Sequence, residues 1–269
     1  MSSIPQNAEN GNEISNSVTN FMTQFQIGKL LFKCNAGKAK GIPVIEVFRY
    51  LFCLIFSDRS MYMQWKTGIF DGSFCKNTVY RFLNNAKINW FRFTTLLSSR
   101  IINDFMKPLT DESRKDVFII DDSLFDRSRS NKTELLAKVF DHCSMKYKRG
   151  YRMLTLGWSD GNSFVPINHR LLSAADDKNL LCKAANFDGR SLAGKRRKES
   201  RRKATEVLID LIRAAQSSGV SAKYVLFDSW FSSPKTITAL KTNCELDTIA
   251  MVKKSSKIKY GYQGGRYSI

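Results

Sequence analysis

Apolar residues in this chain keep a helical spacing up to about residue 105 and then switch to short unbroken runs. Val18, Phe21, Met22 and Phe25 recur at three- and four-residue intervals, which predicts an amphipathic helix over about residues 14–32. Residues 1–14 before it read as a flexible polar lead-in. Gly37, Gly41 and Pro43 break the pattern, and Pro43 suits the first turn of a second helix from Val44 to Phe56. A short helix is expected from Met61 to Lys66, a turn at Asp71-Gly72-Ser73, another helix from Asn77 to Asn85, and a longer one from Trp90 to Phe105.

The polar stretch Pro108 to Lys115 marks the expected domain boundary, giving a helical domain over residues 1–112 and a second domain over 113–269. Beyond it the runs shorten to strand length. Val117 to Asp121, Met153 to Gly157, Ser163 to Ile167, Tyr224 to Phe227 and Thr248 to Val252 read as strands. Asp160-Gly161 between the second and third is a strong hairpin signal. A long helix is predicted from Gly194 to Ser217, carrying the stripe Val207, Leu208, Leu211 and Ile212, and a shorter one from Pro234 to Lys241. The order is strand, hairpin, helix, strand, helix, strand, which predicts a mixed α/β sheet: an antiparallel three-stranded start followed by parallel strands.

Charge changes this picture most. The chain has 43 Lys and Arg against 24 Asp and Glu, a formal net charge of +19, and a basic protein of this kind meets polyanions, above all nucleic acid. The excess is uneven: residues 116–194 are close to neutral, and both flanks are strongly basic. The densest run is Lys195, Arg196, Arg197, Lys198, Arg201, Arg202 and Lys203, seven cations in nine residues and the best phosphate-contact candidate; a solvated charge run is the alternative. Arg127, Arg129 and Lys132 are further DNA-contact candidates, and a helix–turn–helix is conceivable over 57–85 with Lys76, Asn77, Tyr80 and Arg81 facing DNA, against a purely packing role for those helices. The six cysteines form no C-x-x-C pair and the two histidines, His142 and His169, make no zinc signature. The first residues are no signal peptide, and the apolar stretch from Pro43 to Phe56 is too short for a bilayer, so a cytoplasmic, membrane-free chain is expected, nucleoid-associated when on DNA.

Two of the apolar runs end in aspartate: Val117-Phe118-Ile119-Ile120 leads to Asp121-Asp122-Ser123, and Tyr224-Val225-Leu226-Phe227 leads to Asp228-Ser229-Trp230-Phe231. Each Asp alone reads as a cap for the following turn or helix. Two carboxylates at the ends of strands of one sheet are also what a hard divalent cation takes as ligands, and the basic flanks favour that reading. Side-chain alternation directs only one of Asp121 and Asp122 into such a site and does not say which.

These residues resemble the DDE transposases of bacterial insertion sequences, whose catalytic domain is ribonuclease H-like. The likeness rests on Ile119 to Ser123, on Leu226 to Phe231, and on Lys148 to Gly161 between them, and spans about residues 115–255. It implies a ribonuclease H-like mixed sheet with flanking helices, preceded by an all-helical DNA-binding domain. It also implies Asp122 and Asp228 as catalytic residues and metal ligands, Asp121 as a neighbour, and Mg²⁺ or Mn²⁺ as cofactor. The expected chemistry is two-metal phosphoryl transfer on double-stranded DNA, at transposon ends and target, by a homodimer or a mixed dimer with intact transposase. The resemblance departs at the third acid, a Glu in a Tyr-x-x-Arg-x-x-x-Glu pattern: the only Glu after Asp228 is Glu245, outside any such pattern. The chain therefore reads as a transposase truncated before that Glu, or as an inactive DNA-binding fragment able to inhibit an intact enzyme. An RNA-binding reading leaves the strand-end aspartates unexplained.

Overall fold

A computed structural model describes residues 8–57, 59–70, 72–252 and 259–268. It divides into two compact units, residues 1–93 and 94–269.

The first unit is helical over its described residues. Helices α1 (Ala8–Gln24), α2 (Ile27–Lys33), α3 (Val44–Cys53), α4 (Met61–Lys66) and α5 (Lys76–Leu83) lead to the start of α6 (Trp90–Ile101). The single helix expected over 14–32 is two, because Gln26 takes a left-handed backbone conformation (φ 49°) that ends the first ladder. Of the expected lead-in, residues 8–14 belong to α1, and residues 1–7 lie outside the described part. Aromatic rings fill the interior. Phe21 stacks on Phe52 with centroids 5.4 Å apart, and Phe48 meets Phe93 edge-on at 5.4 Å. Tyr50, half-buried, packs against Trp65, Phe70 and Phe74, and its hydroxyl donates to Gln64 Oε1 (2.8 Å).

The second unit holds a mixed sheet. Among the described residues it comprises β1 (Val117–Asp126), β2 (Ala137–Asp141), β3 (Lys146–Ser159), β4 (Phe164–Leu172), β5 (Tyr224–Phe227) and β6 (Asp247–Ala250). β3 lies antiparallel to β1 along one edge and carries β2 and β4 in succession along the other. β5 and β6 add parallel strands on the far side of β1, so the antiparallel start and parallel finish are as expected. The β3–β4 hairpin closes through Asp160, whose Oδ1 accepts from the amides of Asn162 (3.0 Å) and Ser163 (2.7 Å), and Gly161, whose φ of +92° suits glycine.

Helix α8 (Ala204–Ser217) buries Val207, Leu208, Leu211, Ile212 and Ala215 and packs against β3 and β4. α9 (Pro234–Cys244) starts at Ser233, whose Oγ accepts from Thr236 N (3.2 Å), with Pro234 in the first turn. The long helix expected over 194–217 is interrupted: α7 (Leu192–Glu199) ends at Ser200 and α8 begins at Ala204. Like charges four residues apart, Arg197 with Arg201 and Lys198 with Arg202, oppose one continuous helix. Ser200 carbonyl oxygen accepts from Ser173 N (2.6 Å) just past β4, fixing the break against the sheet.

The division of the chain falls inside α6, not in the polar connector at 108–115. The reason is polar anchoring. Ser98 Oγ donates to Pro166 O (2.7 Å), Asn168 Nδ2 to Thr95 Oγ1 (3.2 Å), Asn103 Nδ2 to Gly219 O (3.1 Å), and Ser99 Oγ to Ser218 O. Near the chain's end, β7 (Tyr260–Tyr262) and β8 (Gly265–Tyr267) form a separate hairpin. All six cysteines are free.

Candidate active site

The aspartates stand where β1 outruns its parallel neighbour. β1 and β5 are bridged at Val117–Tyr224, Phe118–Val225 and Ile119–Leu226, after which β5 stops at Phe227 while β1 continues to Asp126 along β3. Asp121 and Asp122 are thus inside β1 rather than at its end, which corrects the sequence expectation; it is the β5 side of the ladder that ends there. Asp228 follows β5 directly, in a turn outside the β1–β5 ladder.

The two neighbours differ in surroundings. Asp121 is exposed, and its Oδ2 accepts from Ser123 Oγ (2.8 Å). Asp122 has a side chain only 16% exposed, on the face shared with buried Phe118 and Ile120. Its Oδ2 accepts from Arg152 Nε (2.8 Å) and from Arg152 Nη2. Its Oδ1 is buried and has no hydrogen-bond partner. Arg152 reaches Asp122 diagonally, since Asp122 faces Leu154 and Leu124 faces Arg152 across the β1–β3 ladder. A buried carboxylate oxygen without a donor is costly and is the kind of atom a cation would satisfy. The donor set at Asp122 therefore fits a hard divalent ion.

Asp228 is exposed just past β5. Its Oδ1 accepts from Trp230 N (3.0 Å) and its carbonyl from Phe231 N (3.3 Å), so it also shapes the turn, as Asp commonly does. That turn buries Phe231 and leaves Trp230 about half exposed (51%). The Trp230 ring lies 5.7 Å from Arg152 Cζ and 5.7 Å from the His142 ring, which also meets Phe140 at 5.0 Å. Arg152 thus links the two aspartate segments, touching Asp122 on one side and the ring two residues past Asp228 on the other. Sequence reasoning does not single out Arg152 or His142 as site residues. The β1–β3 register brings in Arg152, which the Lys148 to Gly161 stretch contains, and the turn after β2 brings in His142.

Glu245 is not part of this cluster. It caps α9 in a left-handed conformation (φ 57°) just before β6, whose first residue Asp247 pairs with Tyr224 at the opening of β5. That is the end of β5 away from Asp228. Among the described residues no group of three or more Asp, Glu, His and Cys is placed to hold a metal ion.

The basic run is sorted by its partners. In α7, Arg197 pairs with Glu134 (Nη2–Oε2 2.6 Å) and lies over the Phe187 ring at 5.3 Å. Arg201 pairs with Asp177 (2.5 Å) and donates to Ala175 O (2.7 Å); Arg202 pairs with Asp210 (2.5 Å). Arg196 is half-buried, and desolvation lowers its pKa from the usual guanidinium value. Lys195, Lys198 and Lys203 have no ion pair among the described residues. Arg127, Arg129 and Lys132 lie in the loop after β1, with the Arg127 guanidinium over Phe125 at 4.4 Å. In the first unit Lys76, Asn77, Tyr80 and Arg81 are exposed on α5, opposite buried Val79 and Phe82; residues 67–75 between α4 and α5 make a longer link than a tight helix–turn–helix uses.

No helix among the described residues is long and apolar enough to cross a membrane. Residues 72–263 match the family model described as DDE superfamily endonuclease. No curated protein matches the chain.

Proposed function

The chain belongs to the DDE superfamily endonucleases, and from that premise we propose that it is an insertion-sequence transposase whose second unit, residues 94–269, carries a ribonuclease H-like catalytic domain and whose helical first unit, residues 1–93, binds DNA. Its substrate is double-stranded DNA at transposon ends and target. The observation that carries the reading is the buried, unpartnered Oδ1 of Asp122, on the strand whose neighbour leads to Asp228.

Asp122 and Asp228 are the residues that would hold Mg²⁺ or Mn²⁺, which when bound supplies an activated water and charge stabilisation at the scissile phosphate. Asp122 fits because it is semi-enclosed and aimed with the core face; Asp121, exposed and satisfied by Ser123, serves as a neighbour. Lys195, Lys198 and Lys203 offer unpaired charge to the phosphate backbone, joined by Arg127, Arg129 and Lys132, while Arg197, Arg201 and Arg202, held by carboxylates, position that surface beside half-buried Arg196. Lys76, Asn77, Tyr80 and Arg81 on α5 are the groove-facing set of the helical domain.

A second reading is supported by the lack of a third acid beside the two aspartates among the described residues. On it, the chain binds transposon-end DNA without cutting and forms inactive mixed dimers with an intact enzyme. One assay separates them: DNA carrying the element's flanking repeats, incubated with the chain and Mg²⁺ or Mn²⁺. Nicking that Asp122→Ala and Asp228→Ala both abolish supports the transposase. Binding without nicking supports the second reading, and absence of both binding and nicking rejects the two together.

A further inference from the structure

The ion pair between Arg152 and Asp122 lacks the form of a permanent structural pair. A guanidinium that locks a carboxylate usually does so with two parallel bonds, one to each oxygen. Here Nε and Nη2 of Arg152 converge on Oδ2 alone, and Oδ1 is left buried without a donor. Arg152 is itself one-third exposed, and its guanidinium already lies 5.7 Å from the Trp230 ring, a face able to hold a cation once the carboxylate is taken away.

We propose that Arg152 is an exchangeable counter-ion of Asp122: a divalent cation binding there displaces the guanidinium, which moves onto Trp230. This rests on the reading of Asp122 as a metal ligand and adds the residue that governs occupancy. A monocation within a few ångströms of the same carboxylate both competes for Oδ2 and repels the incoming ion, so the two cannot be held together favourably. Without a metal, Arg152 keeps a half-enclosed carboxylate from standing unpaired. Arg152 is thus a positioning residue that acts through Asp122.

The test is Mn²⁺ binding to the full chain by calorimetry, without DNA, at neutral pH. Arg152→Gln is expected to bind Mn²⁺ about tenfold more tightly than the wild type or better, Arg152→Lys to fall between, and Asp122→Asn to lose the site. Equal or weaker binding by Arg152→Gln, with the dependence on Asp122 intact, overturns the exchange and leaves the metal reading standing. Absence of Asp122-dependent binding in every variant overturns both. A second readout needs no Arg152 variant. Mg²⁺, which does not quench fluorescence itself, is expected to change the tryptophan emission of the wild type and not that of Trp230→Phe. An unchanged wild-type emission at Mg²⁺ concentrations that calorimetry shows to be saturating overturns the proposal.

Discussion

Asp122 and Asp121 are adjacent in β1, yet one has a buried oxygen without a partner and the other is exposed and already satisfied by Ser123. Alternation puts them on opposite faces of the sheet, and the environment of each face then sets its chemistry. Substitution should separate them. Asp122→Asn is expected to weaken Mn²⁺ binding at least tenfold, Asp121→Asn by less than about threefold, with one tenfold step corresponding to about 1.4 kcal/mol. Glu245→Gln, at the other end of β5, should leave binding unchanged. Calorimetry on the three variants checks this, and a larger loss for Asp121→Asn would reassign the ligand.

The three unpaired lysines of the basic run should dominate its salt response. Replacing Lys195, Lys198 and Lys203 together with Gln is expected to lower the slope of log affinity for DNA against log salt by about 2.7, at about 0.9 for each phosphate no longer neutralised. Replacing Arg197, Arg201 and Arg202 with Gln should cost thermal stability more than slope, since those side chains hold Glu134, Asp177 and Asp210. Filter binding or anisotropy across a salt series, paired with melting curves, distinguishes the two groups.

Asp160 ties the β3–β4 hairpin to the segment before β1: it accepts from the Ser163 and Asn162 amides and from Thr110 Oγ1 (2.8 Å), and it is 5% exposed. The Ser163 amide first, then the Thr110 hydroxyl and the Asn162 amide, hold its carboxyl below the usual carboxylate range, against burial acting the other way. The folded state therefore prefers the ionised form more than the unfolded state does. Its stabilisation is complete above the unfolded value near pH 4 and is lost as pH falls through the lower folded value. Asp160→Asn is expected to cost about 2 kcal/mol at pH 7, and the gap to wild type should shrink below pH 4. Urea denaturation at pH 7 and pH 3 measures it.

Gly150 faces Asp126 at the last pair of the β1–β3 ladder. A Cβ there would lie 2.3 Å from Phe125 O and 3.4 Å from Arg127 N, both backbone atoms that cannot swing aside. Gly150→Ala is expected to cost about 2 kcal/mol, in the range of overpacked cores, and to disturb the Arg127 N to Arg149 O bond (2.8 Å). Gly28→Ala in α2, with nothing within 4 Å of its Cβ, should instead be neutral or add up to about 1 kcal/mol. Denaturant midpoints of both variants provide the comparison.

How much of this is legible in the sequence depends on how local the signal is. β5 reads as a strand over Tyr224–Phe227, as observed, because four apolar residues lie between polar ones, and the hairpin at Asp160-Gly161 announces itself through its turn. β2 is hidden because Ala137–Asp141 offers a single alternation, and its partner stretch around Lys146, Lys148 and Arg149 is polar. That pairing is held by Lys148 Nζ to Asp141 Oδ2 (2.8 Å) and by Ser144 Oγ to the same atom (2.6 Å), contacts that lower the Asp141 pKa well below the carboxylate range. The aspartates at the site are visible as residue types. Arg152 is not visible as a partner, because it meets Asp122 only through a strand register set by the whole β1–β3 ladder.

The basic run divides its cations by residue type: Arg197, Arg201 and Arg202 pair with carboxylates of the fold, and Lys195, Lys198 and Lys203 are left to solvent. The two kinds of substitution that conserve charge are therefore unequal. Lysine to arginine at 195, 198 or 203 should pass unnoticed, because a solvated cation has no shape to satisfy. Arginine to lysine at 197 or 201 keeps the charge and loses the fork that grips Glu134, or the pair Asp177 and Ala175 O. Exchange between the two cations in this segment is thus tolerated in one direction, lysine to arginine, and resisted in the other, an asymmetry that net charge alone does not reveal.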